Sequence, residues 1–498
     1  MFTDESLDGV DFQSSWKKQR HLENSQTQTT EISYLDSSIQ STETLDQEVQ
    51  TVAETAQEFR LADGDDKALA AFLRIVEPVV CKALERNIRS HAFDGYDVNW
   101  AEDTDVVKCV HILTEKSLDK SMQCTQLSWN RTGSTIAVSY GRLDHQDWCT
   151  HKGVLCTWNL DRRGINSSKA DVAVDVPSCL MSIAFHPVKT AWIAGGSFNG
   201  QLSVWDLSQE DEPLLASSGI GDDSHREPIT QIVWLQNPDK PSKYLLVSTS
   251  TDGRILIWEM KEGKRTIELK EGFLLLASSL PAGFMKGGRS RGDKEMGVNS
   301  VSYANDDPSL FLVGSDSGGI FKCSMNSRDP VPTSEVMPSV PLYSPVTFAF
   351  EPHNGPVHSV NCSPFHRNLF LACGIDTSAR IYSMLEARHI LSVEPGAGYL
   401  FSVQWSPVRP MVFAVTSGEG QLLIYDLQRS RNIPVHSLQA SPEKKEVFCL
   451  EFNQSQKQLL ATGDADGVIT VWQLNDALTT QGAREAEALA DIANSVLD

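Results

Sequence analysis

Seven times in this chain a glycine, or a residue in its place, is followed five residues later by an aromatic or its substitute: Gly153/Trp158, Gly200/Trp205, Gly253/Trp258, Gly318/Cys323, Thr377/Tyr382, Gly420/Tyr425 and Gly467/Trp472. Each pair sits in the same context. An apolar strand such as residues 181–187 leads through a turn to a short apolar run, then to the glycine and a strand that ends in Trp-Asp-Leu or a relative. Those strand ends, at Leu160, Leu207, Met260, Met325, Met384, Leu427 and Leu474, are 43 to 65 residues apart. A single four-stranded unit of this kind has two faces that it cannot cover in water, so similar units stack around an axis and bury their faces on each other. The pattern predicts an all-β, seven-bladed propeller over residues 104–475.

The glycine is expected in the tight turn between the second and third strands, where a positive backbone dihedral is often required. Asn199-Gly200, Asp252-Gly253 and Asp466-Gly467 are dipeptides that such hairpins prefer. After Leu474 the chain turns polar and then rich in alanine and glutamate, so the last blade has no following outer strand. Residues 106–113 alternate well enough to supply that strand from upstream and to close the ring without an open edge. Residues 476–498 read as a C-terminal tail.

Composition excludes several functions. With 65 acidic and 43 basic side chains the formal charge is −22, which argues against a nucleic-acid surface. No apolar run is long enough for membrane insertion, and the first twenty residues lack the form of a signal peptide. The ten cysteines form no Cys-x-x-Cys pair and read as reduced thiols in a reducing compartment.

The first hundred residues differ from the rest. Residues 1–60 hold 12 acidic and 4 basic side chains with much Ser, Thr and Gln, too little apolar surface to fold alone, so 1–64 is expected to be a disordered acidic arm. Within it lie Ser25-Gln26-Thr27-Gln28-Thr29 and, 22 residues beyond Gln28, Gln50 in Glu48-Val49-Gln50-Thr51. Their β-branched residues favour an extended backbone, suited to adding a strand to the sheet edge of another protein. Next, Leu69, Phe72, Leu73, Val76, Val80, Leu84 and Ile88 recur at three- and four-residue steps behind Asp65 and Asp66, predicting an amphipathic helix over 65–90. Pro78 should kink it or divide it after Glu77. Its apolar stripe requires cover, either the flank of the propeller or a partner. Residues 91–103 form a linker.

Trp205-Asp206-Leu207 with its glycine turn resembles the WD-repeat proteins, whose propellers serve mostly as rigid protein-binding platforms; the Gly-His dipeptide frequent in such repeats is missing here, and only Trp205-Asp206 keeps the full Trp-Asp pair. Residues 25–29 resemble the Thr-Gln-Thr motif bound by the dimeric hub light chain of dynein, and Val49-Gln50-Thr51 is a looser version. The order of arm, helix, linker and propeller, with residues 90–100, 140–145 and 362–370, resembles the dynein intermediate chains, specifically the ciliary (intraflagellar-transport) dynein-2 class; the charged coiled coil that opens the conventional cytoplasmic class is absent. The resemblance implies a non-catalytic subunit whose propeller binds the heavy-chain tail, beside a second intermediate chain. It also implies an arm that gathers hub light chains, a roadblock-type light chain on Leu69, Phe72, Leu73, Val76, Val80 and Leu84, and a cytoplasmic location at the ciliary base, axoneme and centrosome. The alternative is a WD-repeat scaffold or substrate receptor of another assembly, such as a ubiquitin ligase, in which the arm motifs are accidental.

Enzyme signatures are absent: there is no Gly-x-Ser-x-Gly elbow, phosphate loop or His-Glu-x-x-His, and no cofactor is expected. His145, Asp147, Cys149 and His151 crowd one loop of the first blade, but without paired ligands at regular spacing they read as a solvated polar loop and no metal is expected. Arg289, Arg291 and Lys294, in the glycine-rich stretch 283–297, read as a mobile basic connection, with contact to an acidic partner as the lesser reading.

Overall fold

The computed structural model describes residues 66–88 and 106–494, apart from 146–147, 210, 239, 262–264, 281–293 and 332–337. The chain divides into two units, Met1–Asn99 and Trp100–Asp498. In the first, the described part is one helix, Asp66–Ile88, which runs through Pro78 without dividing. The second unit is an all-β propeller of antiparallel strands joined by hairpins.

Gln123–Trp129, Thr135–Gly141, Gly153–Asn159 and Val172–Val176 pair in that order and show the unit of construction. Five sheets have four strands and one has ten. The large sheet contains two four-stranded series, Leu180–Phe185 through Leu214–Ser217 and Ile229–Gln236 through Thr266–Leu274, joined where Thr266 pairs in parallel with Ser217. The short strand Leu342–Ser344 adds in parallel to its Thr266–Leu274 strand and pairs in turn with Asp329–Pro330. The repeat units of the sequence therefore lie in six hydrogen-bonded sheets, because two neighbouring units share a ladder.

The first strands of the series follow one another around a ring. Gln123–Trp129 neighbours Leu180–Phe185, followed by Ile229–Gln236, Val298–Tyr303, Val357–Cys362, Leu400–Trp405 and Val447–Phe452, which returns to Gln123–Trp129. An innermost strand has one edge without a ladder partner, and its N–H groups need acceptors. Polar side chains of the preceding series supply them. The Gln126 Oε1 accepts from the Ile183 N–H at 3.1 Å, Gln231 from Val301 at 2.7 Å, Asn361 from Trp405 at 3.0 Å and Gln404 from Phe452 at 2.8 Å. Between neighbouring series lie apolar layers that bury Trp158, Trp258 and Trp405.

The strand that completes the last sheet comes from upstream, as the missing outer strand required. Val107–Leu113 runs antiparallel to Ile469–Leu474, with Val107 opposite Leu474 and Leu113 opposite Ile469. Leu113 is fully buried in the cluster that holds Tyr140 and Trp158.

The glycine turns follow the expected geometry at Gly200, Gly253, Gly318, Gly420 and Gly467, all with positive φ. At Gly200 a Cβ would also stand 2.2 Å from the His225 carbonyl oxygen, so glycine is required twice over. Thr377 occupies the same turn position with φ 62°, a conformation that strains a β-branched residue. Gly153 departs from the expectation. It opens the strand Gly153–Asn159 without positive φ, and its role is close approach, since a Cβ would meet the Leu180 amide nitrogen at 2.5 Å.

The expected C-terminal tail is folded through residue 494. Asp476–Thr479 and Glu485–Asn494 are helices, and Leu489, Ile492 and Ala493 are buried with Trp405, Phe413 and Tyr425. A buried ion-pair network anchors this end. The Arg409 guanidinium donates to Glu485, to Asp426 Oδ2 at 3.2 Å and to the Ala477 carbonyl at 2.6 Å. Two buried carboxylates that share one cation make the cation indispensable, since an unpaired buried charge costs about 3–5 kcal/mol. In the sequence Glu485 reads as part of the alanine- and glutamate-rich C-terminal tail, because its partner lies 76 residues upstream.

Candidate interaction surfaces

The helix Asp66–Ile88 presents the surface that most needs a partner. Leu69, Phe72, Leu73, Val80 and Leu84 are all exposed, with Phe72 at 59%, and Val76 is half-buried. Ile75 and Val79, beyond the predicted stripe, are the most exposed of the group at 72% and 68%. At about 100° per residue they widen the apolar stripe to roughly 180°, beyond the narrow seam of a single antiparallel neighbour. An exposed apolar patch of this kind is characteristic of interaction sites. Ser25, Gln26, Thr27, Gln28 and Thr29, like Glu48, Val49, Gln50 and Thr51, lie outside the described residues, as do Arg289 and Arg291.

The propeller offers no reaction centre among its described residues. The arrangement nearest to one joins Trp258, Ser248, His225 and Asp252. The Trp258 Nε1–H donates to the Ser248 Oγ at 2.8 Å, the His225 Nε2 lies 2.7 Å from that oxygen, and the His225 Nδ1 lies 3.3 Å from Asp252. Ser, His and Asp in this order suggest a nucleophile, but Ser248 and the His225 side chain are fully buried and the Asp252 side chain is 3% exposed. Burial opposes ionisation of Asp252, yet the neighbouring His225 and backbone N–H donors hold its carboxyl below the usual range. The network is a structural clamp: it ties the loop before the series, through Asp252 beside the Gly253 turn, to the tryptophan of the third strand. A related set links His353 to Asp376 at 2.9 Å and Asp376 to Arg380 at 2.9 Å. Neither set is legible in the sequence, because their members are scattered over tens of residues and lack the Gly-His dipeptide.

The inner strands enclose an axial cavity of about 530 Å³. Its wall is mostly Ser, Thr, Gln and aliphatic side chains, with Phe401 packed against Phe448 at 5.0 Å. Burial pushes the Glu451 carboxyl up to about 8 and the His358 imidazole down, so both favour their neutral forms near neutral pH. A neutral wall without a convergent acid, base and nucleophile suits a rigid platform. Among the described residues no helix is long and apolar enough to cross a membrane.

The polar loop of the first series differs from its sequence reading in one respect. Asp147 is outside the described residues, but His145 and Cys149 meet Cys179, which arrives from 30 residues downstream at the start of the next series.

A ring of four-stranded series with glycine turns, inter-series polar stitches and a buried Trp-Ser-His-Asp clamp defines a WD-repeat propeller protein. Residues 344–383 and 432–473 match the family described as WD domain, G-beta repeat. Over 492 residues the chain is 44% identical to the mouse protein named cytoplasmic dynein 2 intermediate chain 2, covering 98% of this chain and 91% of the relative. The human protein of that name is 44% identical over 434 residues, 87% of this chain and 80% of the relative. The sea urchin Heliocidaris crassispina protein named dynein intermediate chain 3, ciliary, is 27% identical over 397 residues, 79% of this chain and 60% of the relative. The chain belongs to the dynein intermediate chain family, and its similarity to the dynein 2 members exceeds that to the ciliary one.

Proposed function

We propose that the chain is the non-catalytic intermediate chain of a cytoplasmic dynein 2 motor complex and supports retrograde intraflagellar transport and cilium assembly. The observation that carries this reading is 44% identity sustained over 98% of the chain, arm and helix included, rather than over the propeller alone. In this reading the propeller, counted as seven blades with the ten-stranded sheet taken as two joined blades, grips the tail of the heavy chain. A second intermediate chain stands beside it. The subunit works in the cytoplasm, at the ciliary base and axoneme and at the centrosome. The arm, residues 1–64, carries dimeric hub light chains, and the exposed arc of the helix carries a roadblock-type light chain.

The arm has the more specific chemistry. Gln28 and Gln50 each enter a groove of the dimeric hub light chain as the centre of an added strand, and the two equal grooves hold two arms side by side. Two motifs on one chain raise the effective concentration, so avidity exceeds either site by about a hundredfold or more. Calorimetry on residues 15–60 tests this. Replacing Thr27, Gln28 and Thr29 with alanine is expected to weaken binding far beyond the loss of a few hydrogen bonds, and replacing Val49, Gln50 and Thr51 as well should abolish it. Equal affinity of the intact and doubly substituted peptides would remove hub light chains from the assignment.

A further inference from the structure

We propose that His145, Cys149 and Cys179 form a zinc site that fastens the 142–152 loop of the first blade to the start of the second. The ligand atoms of the three residues all lie within 4.8 Å of one another. Cys149 and Cys179 are 3% and 0% exposed, and His145 Nε2 is buried without a hydrogen-bond partner. An imidazole nitrogen left unpaired beside two sulfurs is accounted for by a cation that all three coordinate. With Zn–S of about 2.3 Å and Zn–N of about 2.0 Å, tetrahedral ligand atoms stand roughly 3.4–3.8 Å apart, so occupancy needs a contraction of only about 1 Å.

The surroundings hold the ligands in place without the ion. Asn199 brackets Cys149, accepting from its N–H at 3.1 Å and donating to its carbonyl at 3.1 Å. Backbone N–H groups point at both sulfurs, from Arg142 to Cys179 and from Cys179 to Cys149, each at 3.3 Å, and the Cys149 thiol donates to the His151 carbonyl at 3.4 Å. The His145 ring rests on Phe198 with centroids 4.1 Å apart, and Asp144 is paired with Arg142 at 2.6 Å. The His151 ring, with its centroid 5.3 Å from that of His145, is the neighbouring imidazole available for the fourth position. Soft sulfur with imidazole selects zinc over magnesium or calcium. Binding displaces one proton from each thiol to solvent, with no change of oxidation state. The site is structural, and the loop it fastens carries the exposed Trp148 and Leu143.

The full-length chain, reduced and freed of metal with a chelator, is titrated with Co²⁺ as a spectroscopic substitute. One equivalent should saturate a thiolate-to-cobalt charge-transfer band with the intense visible absorption of tetrahedral cobalt, and Zn²⁺ should bleach both. Cys179→Ser should abolish the band, whereas Cys362→Ser, at a buried thiol elsewhere, should leave it intact. Should Cys179→Ser not fold, His145→Ala on the partly exposed loop serves instead, with affinity expected to fall roughly tenfold or more. Zn²⁺ should also raise the melting temperature of the unmodified chain and not that of the variants. The absence of a stoichiometric thiolate band in the reduced chain, or a band that survives both Cys179→Ser and His145→Ala, would overturn the proposal.

Discussion

Removal of residues 1–116 is expected to convert a soluble chain into an aggregating one, whereas removal of Met1–Asn99 should leave a soluble, cooperatively melting propeller. The difference is one strand. Val107–Leu113 covers the outer edge of Ile469–Leu474, and without it a row of N–H and C=O groups faces solvent as a template for pairing with other chains. The core is also breached, because Leu113 is fully buried and Val107 packs against the cluster of Trp472 and Leu474. Closure joins two segments some 360 residues apart in the chain. Size-exclusion chromatography and calorimetric melting of the two truncations decide the matter. Equal solubility and cooperativity would mean that the strand is dispensable.

The second large effect concerns the helix. Changing Phe72, Leu73 and Val76 together to Asp should eliminate a roadblock-type light chain from the purified complex and leave the melting temperature of the propeller unchanged. Phe72 and Leu73 are more than half exposed in the chain as it stands, so it tolerates carboxylates there. A bound partner would not: each carboxylate carried into an apolar interface costs on the order of several kcal/mol, and three together exceed the roughly 8 kcal/mol of a micromolar contact. Retention of the light chain would dismiss this face as its site. A lowered propeller melting temperature would mean that the stripe is part of the folded core.

The features legible in the sequence are those whose partners are near in the chain or whose absence is conspicuous. The glycine-to-aromatic interval fixes a turn and a third strand within six residues, so Gly200/Trp205 and Gly467/Trp472 announce their hairpins. The closing strand could be inferred because Leu474 is followed by nothing able to pair. What escaped notice depends on contacts across repeat boundaries. Cys179 joins His145 and Cys149 only after one blade folds against the next. Arg409 draws in Glu485 from what reads as a tail, and Gly153 is small because the Leu180 backbone passes close by rather than because its own backbone turns. The sharing of a ladder between the second and third units turns on the single pairing of Thr266 with Ser217, which no local pattern encodes. The helix was legible as amphipathic, but Ile75 and Val79, three residues beyond Phe72 and Val76, fall at the edge of its apolar stripe, so the width of that face emerged only from their exposure.

Affinity purification of the intact full-length chain from ciliated cells, with quantitative mass spectrometry of the subunits that accompany it, tests the central claim most directly. The account predicts a dynein 2 heavy chain, a second intermediate chain and both hub and roadblock-type light chains in fixed ratio to the bait. Recovery of ubiquitin-ligase subunits, with no dynein heavy chain at any comparable level, would contradict it.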